Sequence, residues 1–206
     1  GRQTSVDTHA TNRNTRTYGA QAEGGEARQL TDFPEGTIRG WAWSPDGNTL
    51  AVSFRETDAD RTEEAEAKRE ETGDSTPPWE IEDMFYRLDG DGYFGSARFQ
   101  LYLVDTQSGE HRLLFARGTA PGFSFDWAPD SSELLIATNV SREPLLTPWK
   151  HALFRVDAET GRVARITGLP DGRKTAARFA PDGPRVLFPP PDTPEPRALR
   201  NPPPYS

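Results

Sequence analysis

The sequence predicts an all-β fold in which one four-stranded antiparallel unit recurs along the chain, and three observations carry that reading. An aromatic-x-Pro-Asp turn occurs three times: Trp43-Ser44-Pro45-Asp46-Gly47, Trp127-Ala128-Pro129-Asp130 and Phe179-Ala180-Pro181-Asp182-Gly183. A glycine stands 18 residues ahead of each of those aromatics, at Gly25, Gly109 and Gly161. Short apolar runs rich in β-branched and aromatic residues fill the space between these markers. A spacing held this rigidly is an internal repeat, and four short strands repeated in series are the blade of a β-propeller.

The elements follow in order. Residues 1–19 are polar and are read as a remnant of an earlier blade. Residues 20–188 hold about three four-stranded antiparallel blades, a partial propeller. Strands are expected at Leu50 to Phe54, Leu101 to Asp105, Arg112 to Phe115, the run ending at Trp127, and Leu134 to Thr138. They continue at Leu153 to Asp157, Arg162 to Ile166, the run ending at Phe179, and Arg185 to Phe188. Proline presets φ in each Pro-Asp turn, and the aspartate accepts from the turning backbone. Hairpins at Thr106 to Gly109 and Ala158 to Gly161 use glycine for the positive φ of a tight turn. The expected unit starts at the Leu101 strand and closes on the strand after the Pro-Asp turn. Trp43, Trp127 and Phe179 are assigned to the blade core because they recur with the repeat.

Copies two and three are 52 residues apart and copies one and two are 84 apart, which places an insertion at 56–98. Its first part, Glu56 to Asp74, holds nine acids and three bases. Thr62 to Thr72 consists mostly of helix formers with mixed charge, a solvated helix or loop. From Pro189 to Ser206 eight of eighteen residues are proline, so this tail (189–206) cannot supply a blade strand. An artificial end and a natural proline-rich linker both fit it. The chain starts at Gly1 and its one methionine is Met84, so it reads as a fragment or trimmed product.

Composition narrows the function classes. The net charge of −8 sits largely in the insertion, no basic stripe exists, and nucleic acid is excluded as an expected partner. No apolar run approaches the ~18 residues of a membrane span, and no membrane partner is expected. There are no cysteines, so thiolate metal sites are excluded. Neither a cofactor nor a metal is expected.

The repeats and the insertion together resemble a known family. The Ser-Pro-Asp-Gly-type blades are similar to those of TolB and of the prolyl oligopeptidase family of serine peptidases. The Phe85-Tyr86-Arg87-Leu88-Asp89-Gly90-Asp91-Gly92-Tyr93 stretch, set between the charged insertion and Gln100-Leu101-Tyr102-Leu103-Val104-Asp105, resembles the acylaminoacyl-peptidase branch. The resemblance runs from about Gly24 to Phe188. It implies a propeller roofing an α/β-hydrolase domain, a role in admitting short peptides, and as partners the remaining blades and a peptide substrate. It implies a cytoplasmic location. The alternative is a TolB-like protein-binding propeller without enzymatic activity, which implies the periplasm.

The chain itself offers no catalytic residue. The nearest approach to a G-x-S-x-G nucleophile elbow is Gly122-Phe123-Ser124-Phe125-Asp126, which lacks the last glycine and sits in a strand context. His9, His111 and His151 fall in the polar tail and at strand starts, and none is placed to activate a nucleophile. Asp89-Gly90-Asp91-Gly92 reads as a turn, because a calcium loop needs an acid at its twelfth position and Gln100 stands there. Tyr86 and Arg87 are the candidates for substrate contact: arginine grips a carboxylate or carbonyl, and tyrosine offers a flat face with a polar tip. One of them reaches a central tunnel if the segment opens an inner strand. The competing reading pairs Arg87 with Asp83 or Asp89 and packs Tyr86 between blades.

Overall fold

The computed structural model describes residues 4–11, 14–21, 28–82, 84–89, 92–118, 122–183 and 185–189, with side chains from Gln29 onward. Asp83, Gly90, Asp91 and residues 190–206 of the proline-rich tail lie outside them. At the N-terminal end, strands β1 (Thr4–Thr11) and β2 (Asn14–Gln21) form an antiparallel hairpin, and β3 (Arg28–Gln29) pairs with β2.

The first complete blade is β4 (Gly36–Trp43), β5 (Thr49–Glu56), β8 (Gln100–Asp105) and β9 (His111–Phe115), each antiparallel to the next. The insertion between β5 and β8 carries helix α1 (Glu63–Thr72) and the short strands β6 (Arg87–Leu88) and β7 (Gly92–Tyr93). The second blade is β10 (Ser124–Trp127), β11 (Glu133–Asn139), β12 (His151–Asp157) and β13 (Val163–Ile166). A third begins with the hairpin β14 (Arg178–Phe179) and β15 (Val186–Leu187). The three copies of the Pro-Asp turn therefore close the hairpins β4–β5, β10–β11 and β14–β15.

The repeat has the expected strands but a different phase. The expected unit began at the Leu101 strand; the structure puts the break between blades after β9, so that each blade opens on the strand leading into its Pro-Asp turn. The insertion is thus internal to the first blade, between its second and third strands.

Alternation along each strand explains why the blades stack. Leu50, Val52, Phe54 and Val104 face one side of the first blade and join Leu30 and Phe33. Ala51, Leu101 and Leu103 face the other side and meet Trp127, Leu134, Ile136, Phe154 and Val156 of the second. Leu135, Ala137 and Leu153 face onward to Ala177 and Phe179. Period-2 patterning with both faces apolar is what a strand buried between two sheets requires. The first strands of successive blades also touch: Trp127 Nε1 donates to the Ala42 carbonyl at 3.1 Å, and the Phe179 N–H donates to Asp126 Oδ2 at 2.8 Å. These contacts make β4, β10 and β14 the inner strands.

Candidate functional site

The insertion builds the most distinctive surface. The α1 N-terminus is held twice: Thr62 Oγ1 accepts from the Ala65 N–H at 3.2 Å and Glu35 Oε2 from the Glu63 N–H at 2.7 Å. Carboxylate and hydroxyl acceptors satisfy amides that lack intrahelical partners. No residue of the helix is buried. Most of its charges face water, with Arg69 Nη2 a buried exception, and the helix carries the chain out and back.

The returning segment packs through cations and rings. The Arg61 guanidinium lies 4.3 Å from the Trp79 ring centroid and donates to the Pro77 carbonyl. Trp79 stacks on Tyr93 with centroids 6.1 Å apart and a 22° tilt. Gly95 follows at φ +54, and a Cβ there would stand 3.2 Å from the Trp79 ring, so glycine suits both backbone and space. Beneath this layer Arg55, 6% exposed, is held between Phe94 and Phe99 at 4.5 and 4.6 Å. Guanidinium over ring faces is favourable, and more so away from water.

A cleft of about 370 Å³ lies between these layers, lined in part by Thr37, Glu56, Asp58, Arg61, Trp79 and Tyr93. Flat aromatic faces beside charged groups of both signs suit an extended, polar chain such as a peptide. The connections between second and third strands, at one end of both blades, also expose large apolar residues: Ile81 and Met84 in the first, Leu145 and Leu146 in the second.

Tyr86 and Arg87 are brought together at Tyr93. Arg87 Cζ is 5.3 Å from the Tyr93 centroid, Tyr86 tilts against the same ring at 5.8 Å, and the Phe94 N–H donates to the Tyr86 carbonyl at 2.9 Å. Arg87 is exposed and Tyr86 half-buried. Their segment is no inner strand; it belongs to the connection within the first blade. Asp83, one of the two suggested partners of Arg87, lies outside the described residues. The Asp89 to Gly92 stretch joins β6 to β7, whose register pairs Arg87 with Tyr93 and Leu88 with Gly92. The sequence placed Tyr93 in the family-bearing stretch but did not single out Arg55, Arg61, Trp79 or Phe94; the density of aromatic residues between Trp79 and Phe99 is the signal that could have found them.

Ser124 sits in β10 opposite Ala137, and its Oγ accepts from the Ala176 N–H at 3.4 Å. His111 packs against Phe33 with centroids 4.5 Å apart. His151 is half-buried at the start of β12, and its Nδ1 is buried without a hydrogen-bond partner. Among the described residues no hydrogen bond joins Ser124 to a histidine. His9 lies in β1, where side chains are not described.

Comparison with known proteins gives these features a context. No family model matches the chain. It is 34% identical over 127 residues to the uncharacterized peptidase YuxL of Bacillus subtilis (strain 168), a match covering 60% of this chain and 18% of that protein. An acylaminoacyl peptidase, solved in complex with Z-Gly-Gly-Phe-chloromethyl ketone, has a similar fold at TM-score 0.58 and 11% identity, over 82% of this chain and 24% of that one. A TolB from Agrobacterium tumefaciens aligns at TM-score 0.50 and 17% identity, over 89% of this chain and 48% of that one. The chain thus spans less than a fifth of the curated peptidase it matches. The chain is similar in sequence to part of a peptidase, and its blade construction, shared with peptidase and TolB structures, is that of a partial all-β propeller.

Proposed function

We propose that this propeller portion gates a serine peptidase: together with further blades it covers an α/β-hydrolase domain and admits short peptides. The observation that carries the reading is the 34% identity to a peptidase over 127 residues, which joins sequence to a fold that peptidases and TolB share. The chain supplies the filter and the hydrolase domain supplies the nucleophile. Under this reading the protein works in the cytoplasm.

The test uses the longer protein that contains this chain and a hydrolase domain. A fluorophosphonate probe labels one serine outside residues 1–206, and blocked tripeptides are cleaved while an unfolded polypeptide of some hundred residues is left intact. No labelled serine, or equal cleavage of both substrates, would overturn the proposal.

Within the same reading, Tyr86 and Arg87 touch the incoming peptide from their place beside Tyr93. Arg87→Ala is expected to raise KM for peptides several-fold with kcat little changed, because an arginine bond to a carbonyl or carboxylate made equally in ground and transition states affects binding alone. An unchanged KM removes Arg87 from the substrate path.

A further inference from the structure

The inner strand of the first blade is interrupted at one residue. Ile38 pairs with Phe54 and Gly40 with Ser53, so β4 holds one residue more than β5 at this point, and that residue is Arg39. A bulge of this kind re-aims a side chain. Ile38 packs with the cluster around Leu50, Val52 and Phe54, on the side away from the second blade. Arg39 instead reaches Phe99 and Gly122, the latter in the segment that leads into β10 of the second blade.

Three guanidinium groups and two rings alternate there. Phe99 carries Arg39 at 5.2 Å and Arg55 at 4.6 Å, and Phe94 carries Arg55 at 4.5 Å and Arg98 at 5.8 Å. The three cations differ in access. Arg55 is buried, and Arg98 Nη1 donates to the Gly95 and Ala97 carbonyls at 3.2 and 2.9 Å. Arg39 is the exposed member, at the inner-strand end of the row. Stacking engages the face of a guanidinium and not its edge N–H groups, which form the fork that matches a carboxylate.

Gly122 keeps the place of that group. Its φ is not positive, so the backbone does not call for glycine here. The space does: a Cβ would stand 2.7 Å from Arg39 Nη1 and 3.4 Å from its Cζ. A bulge, a ring platform and a clearance together set one cation where the inner strands β4 and β10 enter their blades. The chain carries a net charge of −8, and Glu56, Asp58 and Glu66 line the cleft beside the insertion. Against that background the row of three guanidinium groups is a local positive field.

We propose that Arg39 is a specificity-determining residue that binds a carboxylate of the peptide, its C-terminus or an acidic side chain, between the entrances of the two inner strands, with Gly122 as its positioning residue. The inference rests on the peptidase reading and adds to it the charge of the peptide that is admitted. A guanidinium fork and a carboxylate form two parallel charge-assisted bonds, whereas an amide carbonyl offers a single neutral oxygen. A peptide carrying a carboxylate at this point is therefore held more tightly than its amide.

The test uses the longer protein that contains this chain and a hydrolase domain, with three N-blocked tripeptides: a free acid, its C-terminal amide, and an amide whose last residue is glutamate. A carboxylate peptide is expected to show a KM about tenfold below that of the plain amide, the scale of a charge-assisted bond. Preference for the free acid assigns the contact to the C-terminus, and preference for the glutamate amide assigns it to a side chain. Arg39→Met, which keeps a stem over Phe99, is expected to abolish the difference in KM with kcat little changed. Arg39→Lys, a charge without the fork, is expected to retain part of it. Gly122→Ala is expected to reduce the difference in the parent and to add nothing in the Arg39→Met background, a coupling that a purely structural glycine would not show. Cleavage with equal KM for all three peptides, or a difference that survives Arg39→Met, would overturn the proposal and leave the peptidase reading standing. No cleavage of any peptide would overturn both.

Discussion

His151 shows how a single side chain ties this fold to pH. It opens β12 with its Nδ1 buried and unpartnered, while Lys174 Nζ donates to the His151 carbonyl at 3.1 Å. Burial is the main cause that holds its pKa below the ordinary 6.5, and the nearby Lys174 and Arg173 charges lower it further. A proton therefore binds the unfolded chain more tightly than the folded one. Well above 6.5 the ring is uncharged in both states and this proton linkage vanishes. As pH falls through 6.5 towards the folded-state value, stability is lost, and below that value the loss stays constant. Urea unfolding at pH 7 and pH 5 should show His151→Gln losing less stability than the parent over that interval; an equal loss would mean that His151 does not couple to folding. The sequence placed His151 at a strand start but not its burial, because its environment is made in part by Lys174 on a loop 23 residues away. Trp127 and Phe179 were legible as core because they repeat. Arg55 was not: a charge at a strand end reads as exposed, and its burial depends on Phe94 and Phe99.

At the scale of elements, the turns between third and fourth strands repeat one hydrogen-bond pattern. Asp105 Oδ1 accepts from the Gln107 and Ser108 amides at 2.9 and 2.7 Å, and Asp157 Oδ1 from Glu159 and Thr160 at 3.1 and 2.8 Å. Bonds to the charged form lower both carboxyl pKa values below the ordinary 3.8, with the Ser108 and Thr160 amides the leading causes. The stability they give is present above the unfolded-state value and is lost as pH falls through the folded-state value. Asp157→Ala is expected to lower the melting temperature at pH 7 more than at pH 2.5, and Asp157→Asn, which keeps an acceptor oxygen, to lower it less than alanine. A melting-temperature loss from Asp157→Ala that is the same at both pH values would contradict the charge-dependent account. The sequence located these turns because turn chemistry is local. It did not locate the blade break, since a hairpin between blades and one within a blade use the same residues. Only the pairing of β8 with β5, across the 43 residues between Glu56 and Gln100, distinguishes them.

For the whole molecule, the decisive surface is the one between the first two blades. Phe115 at the end of β9 and Phe154 in β12 meet with ring centroids 5.6 Å apart, and Phe123 in the linking segment stands 6.2 Å from Phe115. Both phenylalanines are buried, 2% and 5% exposed, so neither blade presents its own ring to water. Truncating either to alanine is expected to cost about 3–5 kcal/mol, the range for a buried phenylalanine. The two losses should not add. An aromatic pair contributes roughly 0.5–1.5 kcal/mol beyond area burial, so the double variant should fall short of the sum by about that amount. Chevron or equilibrium urea data on the four proteins close the cycle. If the blades fold as one unit through this surface, each variant unfolds in a single transition with an unchanged m-value. Additive losses accompanied by two separate transitions would instead show that each blade holds itself together and that the shared apolar face contributes little. The stacked-blade account does not allow that outcome, because Leu101, Leu134, Ile136 and Val156 are fully buried within this one shared cluster.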